Sequence, residues 1–150
     1  MNWNWKSSLV ILSRLVLGVV FIYASVDKIA HPADFAKAVG NYHLLPWGLE
    51  NFMGLILPWL ELLTGIALIT GIMVDGSVLL ITLMMIMFIA AISLAMARGI
   101  DIECGCFSVS EADGAKVGFR RLFEDFIYLG LALVIMNRRE RLFEFFPKSD

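Results

Sequence analysis

The chain alternates between long apolar runs and short polar segments. A helix needs about 20 mostly apolar residues to cross the hydrocarbon core of a bilayer. Three runs approach or reach that length, and they cover residues 9–26, 52–73 and 77–97. A fourth run is apolar only over residues 122–136, with Glu124 and Asp125 inside it, and it reaches full length as residues 117–136. The pattern therefore predicts four membrane-spanning helices.

The connections between the spans predict how they pack. Val74-Asp75-Gly76 has the composition of a tight turn, so spans two and three should form an antiparallel hairpin. We expect one domain over residues 1–150, an all-α membrane protein built as a four-transmembrane-helix antiparallel bundle. Span one should be retained, because Arg14 interrupts it and no small-x-small cleavage site follows before Asp27.

The first loop carries its own helix signal. Pro32 follows His31 and precedes Asp34, and proline at the first helical position with an acid in the first turn is typical of a helix start. Phe35, Val39 and Tyr42 then recur at helical spacing. This pattern predicts a short interfacial helix that lies on the membrane.

Composition excludes several classes of protein. Hydrophobic residues make up 59% of the chain, charged residues 17%, and the mean hydropathy is +0.80. A soluble fold of this size cannot bury that much apolar surface, so we expect a lipid bilayer partner. With a net charge of −2, no global field attracts nucleic acid. Basic residues are balanced between the two sides, but the cluster at 138–141 favours both termini in the cytoplasm.

The two cysteines, Cys104 and Cys106, flank Gly105 between spans three and four. A disulfide between them closes a very small, strained ring, and strain makes a disulfide easier to reduce. A structural disulfide gains more by closing a long loop, so we expect these residues to be catalytic thiols. Two thiolates do not complete a tetrahedral zinc site, so no metal is expected. Unreactive loop thiols and a mixed Cys–His metal site remain alternatives.

Charged residues inside the spans are costly, which makes each a candidate functional residue. Arg14 in span one and Glu61 in span two should meet near the midplane, and Lys28 is the other cation within reach of Glu61. Asp125 is placed to pair with Arg14 or Lys28, or with Arg121 one turn earlier. Two interpretations stay open: a buried pair that fixes helix packing, or a polar site for a quinone head or a proton.

Five motifs follow one another along the chain. They are Arg14-Leu15-x-x-Gly18 with Lys28, Tyr42-x-x-Leu45-Pro46, Pro58-x-x-Glu61-x-x-x-Gly65, Cys104-Gly105-Cys106-Phe107 and Arg121-x-x-x-Asp125. This ordered set resembles the MauE family within the DoxX-like group, and the resemblance extends over about residues 8–134.

The resemblance implies a redox-associated protein of the bacterial inner membrane. The family's best-known member serves the maturation of the disulfide-rich methylamine dehydrogenase small subunit beside a thioredoxin-like partner. By resemblance, the segment with Cys104 and Cys106 faces the periplasm, where disulfides persist. We therefore expect thiol–disulfide exchange with a periplasmic thioredoxin-like protein or a maturing substrate.

A single cysteine couple at one membrane face cannot carry electrons across the bilayer. The candidate cofactor is therefore a quinone, unless a partner supplies a second couple. Tyr42, Trp47 and Phe107 are expected to form a docking rim, because aromatic residues anchor interfaces well. Two alternatives remain open: a small transporter or channel subunit that uses Arg14 and Glu61, and a non-catalytic membrane assembly or scaffold protein.

Overall fold

The computed structural model describes residues 5–41, 43, 45–46, 48–98, 117–137 and 144. Every regular element in this part of the chain is an α-helix, which confirms the all-α class. In chain order the helices are α1 (Trp5–Ala30), α2 (Pro32–Asn41), α3 (Leu49–Thr70), α4 (Val74–Ala97) and α5 (Val117–Met136).

Three of the described helices, α1, α3 and α4, are long and apolar enough to cross a membrane. They correspond to the first three predicted spans, and α1 extends the first one at both ends. Helix α5 has the predicted bounds, but four charged residues lie in its first half: Arg120, Arg121, Glu124 and Asp125. The fourth span, and with it the bundle of four spans, therefore stays a prediction.

Helices α1 and α3 pack against each other most closely at two glycines. A Cβ on Gly18 would collide with the Ile69 side chain and lie 3.0 Å from the Gly65 carbonyl oxygen. A Cβ on Gly65 would lie 3.0 Å from the Gly18 carbonyl oxygen. Small residues allow two backbones to approach in this way. The contact fixes the position of α1 on α3.

The long helices contact one another in a ring, in which α1 and α4 each pack on both α3 and α5. Buried apolar side chains fill the space between them, including Leu17, Leu68, Ile81, Ile92 and Ile135. Contacts such as Arg14 with Leu68 and Lys28 with Glu61 show that α1 and α3 run antiparallel. Thr82, early in α4, lies 3.5 Å from the Met136 sulfur at the end of α5, so these two helices also run in opposite directions.

This packing gives the molecule two distinct ends. Helix α1 ends at Ala30, α3 begins at Leu49, α4 ends at Ala97 and α5 begins at Val117, all at one end. We call this the α2 end, because α2 connects α1 to α3 there. The segment between α4 and α5 therefore also starts and finishes at the α2 end.

The predicted turn at Val74-Asp75-Gly76 is wrong, because these residues form the first turn of α4. Helix α3 stops at Gly71, which has a φ of 80° and donates its N–H to the Ala67 carbonyl. Glycine adopts this left-handed conformation without strain. Met73, with a φ of 50°, completes the reversal. Asp75 then suits the first turn of α4, where the helix dipole favours a carboxylate.

Helix α2 begins at Pro32, as the sequence predicts. It buries Phe35, Ala36 and Ala38 and packs on α3. The closest approach is at Gly54, where a Cβ would lie 2.8 Å from the Ala36 Cβ. One face of α2 is therefore covered by protein, and its position at a membrane surface stays a prediction.

Candidate functional site

A buried ion pair joins α1 to α3. Lys28 Nζ donates hydrogen bonds to both carboxylate oxygens of Glu61, at 2.7 Å to Oε1 and 2.9 Å to Oε2. Lys28 is 1% exposed and Glu61 2% exposed. Charge-assisted hydrogen bonds of this kind are the strong class in proteins. The predicted hydrogen bond between Glu61 and a cation is confirmed, and the cation is Lys28.

Two aromatic rings also lie beside the ammonium group. Lys28 Nζ lies 5.0 Å from the ring centroid of Phe35 in α2 and 5.2 Å from that of Phe88 in α4. Both distances are within the range of a cation–π interaction, about 6 Å. The ammonium group therefore contacts α2, α3 and α4 while its own backbone belongs to α1. We call Lys28, Glu61, Phe35 and Phe88 the Lys28 cluster.

The direction of the Lys28 side chain follows from helix geometry. Lys28 lies in the last turn of α1, and side chains on a helix tilt toward its N-terminus. The ammonium group is therefore directed back between the helices, toward Glu61 in the middle of α3. Lysines near the ends of membrane helices usually extend to the interface instead. The burial of Lys28 thus depends on its ion pair with the Glu61 carboxylate.

Arg14 binds α3 beyond the glycine contact. Its Nε donates a hydrogen bond of 3.1 Å to the Leu68 carbonyl oxygen. Leu68 lies in the last turn of α3, where carbonyls have no partner within the helix. Arg14 therefore closes the end of α3 opposite the α2 end. The sequence interpretation had placed Arg14 beside Glu61, whereas Lys28 is the cation that the structure shows on that carboxylate.

Helix α5 carries the remaining charged candidates. Glu124 accepts hydrogen bonds from Arg120 Nε at 3.1 Å and from Arg121 Nη1 at 3.2 Å. Asp125 is 1% exposed and lies on a helix that packs against α1 and α4. Arg121 thus contacts Glu124, and a pairing of Asp125 with Arg14, Lys28 or Arg121 stays a prediction.

The cysteines and the docking rim lie outside the described residues, namely Cys104, Cys106, Phe107, Tyr42 and Trp47. The described helices still bound their segments. In the sequence, Cys104 and Cys106 lie between Arg98 and Val117, and these two described residues are both at the α2 end. Tyr42 directly follows α2 and Trp47 precedes α3. The predicted thiols and the predicted rim thus belong to segments that are attached at the same end of the molecule.

A small cavity lies between α2 and α3 at the α2 end. Its volume is about 420 Å³, and its lining includes Gly40, His43, Leu45 and Glu50. Glu50 Oε2 accepts a hydrogen bond of 3.1 Å from the Gly48 N–H, which orders the chain before α3. The cavity lies apart from the Lys28 cluster, which has no member in its lining.

Sequence reasoning did not identify Phe88 as part of a site. Phe88 lies in a predicted span without charged residues, where no pattern separates a ring that contacts a cation from one that contacts lipid. Phe35 was expected on the apolar face of α2, and the structure adds its contact with Lys28. Only the buried charges, Lys28 and Glu61, carried a sequence signal.

Comparisons with known proteins identify similar sequences. The family model described as methylamine utilisation protein MauE matches residues 6–138. A protein named methylamine utilization protein MauE from Methylorubrum extorquens is 34% identical over 95 residues, 63% of this chain and 51% of that protein. Its namesake from Paracoccus denitrificans is 26% identical over 125 residues, 81% of this chain and 65% of that protein.

A third namesake, from Methylophilus methylotrophus, is 27% identical over 124 residues, 82% of this chain and 65% of that protein. The chain thus spans between about half and two thirds of the length of these relatives. No solved structure gives a significant match.

Proposed function

Since the chain belongs to the MauE family, we propose that it is an inner-membrane protein whose Cys104–Cys106 pair exchanges disulfides with a thioredoxin-like or maturing protein. The relatives are named for methylamine utilisation, and we extend that process to this chain as part of the proposal. Three membrane-length helices support the location.

The observation that carries the proposal is the place of the Cys-Gly-Cys segment in the topology. Arg98 and Val117, the described residues on either side of this segment, both lie at the α2 end, which supports our assignment of both thiols to one face of the membrane. We propose that this face is periplasmic, that both termini are cytoplasmic, and that α5 is the fourth span. Tyr42, Trp47 and Phe107 then form the rim on which a soluble partner docks.

The proposed exchange balances as a two-electron step. A thiolate of the partner attacks one sulfur of the Cys104–Cys106 disulfide, which forms a mixed disulfide and releases the other cysteine. The second thiol of the partner then resolves the mixed disulfide. The partner gains a disulfide, and Cys104 and Cys106 receive two electrons and two protons. Re-oxidation requires an acceptor of two electrons and two protons, and a membrane quinone is the class we propose.

The Lys28 cluster bears on the transporter alternative. A transport path needs a polar group that is open to its cargo, whereas both oxygens of Glu61 are bound by Lys28. The described arrangement therefore favours a packing role for Glu61. A non-catalytic scaffold is the remaining alternative, and the state of the thiols separates it from exchange.

Titration of the purified protein against glutathione redox buffers tests the proposal. Alkylation of free thiols adds mass, so the fractions of dithiol and disulfide can be counted at each ratio. An equilibrium within the range of known thiol oxidoreductases supports exchange. A pair that never oxidises overturns it. The Cys104→Ser/Cys106→Ser variant is the matched control for alkylation at other sites.

A further inference from the structure

The Lys28 side chain of α1 brings together α1, α2, α3 and α4 at its ammonium group. It binds Glu61 of α3 through two hydrogen bonds and lies over Phe35 of α2 and Phe88 of α4. Each contact restricts direction as well as distance, because a carboxylate and a ring face accept a cation only from certain sides.

Stability alone gives a weak reason for this arrangement. Removing two charges from water costs about as much as their attraction returns, so apolar replacements of a buried pair are often neutral or stabilising. Directional contacts do favour one arrangement of the helices over others. The Lys28 cluster fixes the positions of α2 and α4 relative to α1 and α3.

Both of these elements lead to the proposed redox site. Helix α2 ends at Asn41, immediately before Tyr42 of the predicted rim. Phe88 lies ten residues before Arg98, which is about 15 Å along a helix, and the segment with both cysteines follows Arg98. A substitution at Lys28 should therefore shift both helix α2, which leads to the predicted rim, and helix α4, which leads to the thiols.

We propose that Lys28 is a positioning residue for partner docking: through Glu61, Phe35 and Phe88 it holds α2 and the end of α4 in the register that a protein partner requires. This inference rests on the proposed thiol exchange and names a residue that acts on it from a distance. It distinguishes a protein partner, which needs both supports in place, from a small thiol, which reaches a disulfide without docking.

The test compares two donors on the full-length protein in detergent. Reduced thioredoxin serves as the protein dithiol, glutathione serves as the small thiol, and the loss of the Cys104–Cys106 disulfide is followed by alkylation. For Lys28→Met we expect exchange with thioredoxin to slow by about ten-fold, since small misplacements of reacting groups cost large factors in rate. Exchange with glutathione should stay within about two-fold of the parent.

Gly71→Ala is the matched control, because it strains the turn that ends α3, at the end of the molecule opposite the α2 end, and leaves the α1–α3 contact and the Lys28 cluster in place. It should leave both exchange rates unchanged at temperatures well below its unfolding transition. Phe88→Leu is the milder second variant if Lys28→Met does not fold. It removes one ring face, keeps the ion pair, and should slow the thioredoxin reaction alone by a smaller factor.

The outcomes separate the ideas. Three results each overturn the positioning role and leave the thiol function standing. They are unchanged thioredoxin exchange in Lys28→Met (or in Phe88→Leu, if Lys28→Met does not fold), equal slowing in Gly71→Ala, and equal slowing with both donors. A parent protein whose disulfide exchanges with neither donor removes the proposed function itself, and the positioning role with it.

Discussion

Lys28 binds both carboxylate oxygens of Glu61, at 2.7 and 2.9 Å, although the lysine lies near the end of α1 and the glutamate in the middle of α3. The two helices run antiparallel and approach closely at Gly18 and Gly65. The backbones of the two residues therefore lie at different levels along the helix axes, and the lysine side chain spans this difference by extending back along α1. The pair thus depends on the glycine contact for its alignment, and the rings of Phe35 and Phe88 lie beside its ammonium group.

The ion pair predicts an asymmetry between single and double variants. Glu61→Leu leaves a buried ammonium group without its anion, and we expect a loss of about 3 kcal/mol in the free energy of unfolding. Lys28→Met/Glu61→Leu removes both charges and should regain most of that loss. Thermal unfolding in detergent measures both. A double variant as unstable as Glu61→Leu would show that the pair itself holds the helices together.

The glycine contact predicts that an added methyl group destabilises the protein at Gly18 but not at Gly130. A Cβ on Gly18 collides with Ile69, whereas a Cβ on Gly130 meets open space. Gly18→Ala should cost about 1–3 kcal/mol as an overpacked site. Gly130→Ala should be neutral or stabilise α5 by up to about 1 kcal/mol. Equal unfolding temperatures for the two variants would contradict the close approach of α1 and α3.

The turn between α3 and α4 predicts which glycine tolerates alanine. Gly71 has a φ of 80°, so Gly71→Ala should cost about 1 kcal/mol through the strain of a left-handed alanine. Gly76 lies in the first turn of α4, and Gly76→Ala should be neutral or slightly stabilising. Paired melting curves of the two variants measure the difference. If Gly76→Ala were less stable than Gly71→Ala, the turn would lie at residues 74–76 instead.

Much of the helical framework follows from the sequence, because apolar runs of membrane length have few other ways to satisfy their backbone. The bounds of α5 and the start of α2 at Pro32 agree with the prediction. The turn was misplaced because Asp75 and Gly76 suit a turn as well as the first turn of a helix. Local composition did not separate those two, and the left-handed cap at Gly71 decides between them.

The candidate site was predicted only in part. A buried glutamate requires a cation, so the sequence named Glu61, Lys28 and Arg14 as a group. The sequence could not show that Lys28 rather than Arg14 binds Glu61, because this depends on how far α1 is shifted along α3. That shift follows from the packing of Gly18 against Gly65 and Ile69. Phe88 required the same information, since only the assembled helices place its ring beside the ammonium group.

The proposed topology predicts which side of the membrane each segment faces. In spheroplasts, a membrane-impermeant maleimide should label reduced Cys104 and Cys106 without permeabilisation. A cysteine placed at Lys148 in a variant without the native pair should be labelled only after the membrane is opened. Labelling of Lys148→Cys from outside would put the C-terminus on the same side as the native thiols. The proposed crossing of the bilayer by α5 would then be wrong.

The cysteine pair predicts a separation between folding and activity. We expect Cys104→Ser and Cys106→Ser to abolish disulfide transfer to a partner, because exchange requires both thiols. The variants should still insert and fold, because so short a ring adds little stability. The remaining thiol of a single-serine variant should also attack the disulfide of an oxidised partner, which forms a mixed disulfide and releases one partner thiol. Non-reducing gels and mass spectrometry identify that mixed disulfide. Membrane levels of each variant must be measured beside activity. Retained transfer in the double serine variant would favour the scaffold role, whereas loss of the folded protein would indicate a structural disulfide.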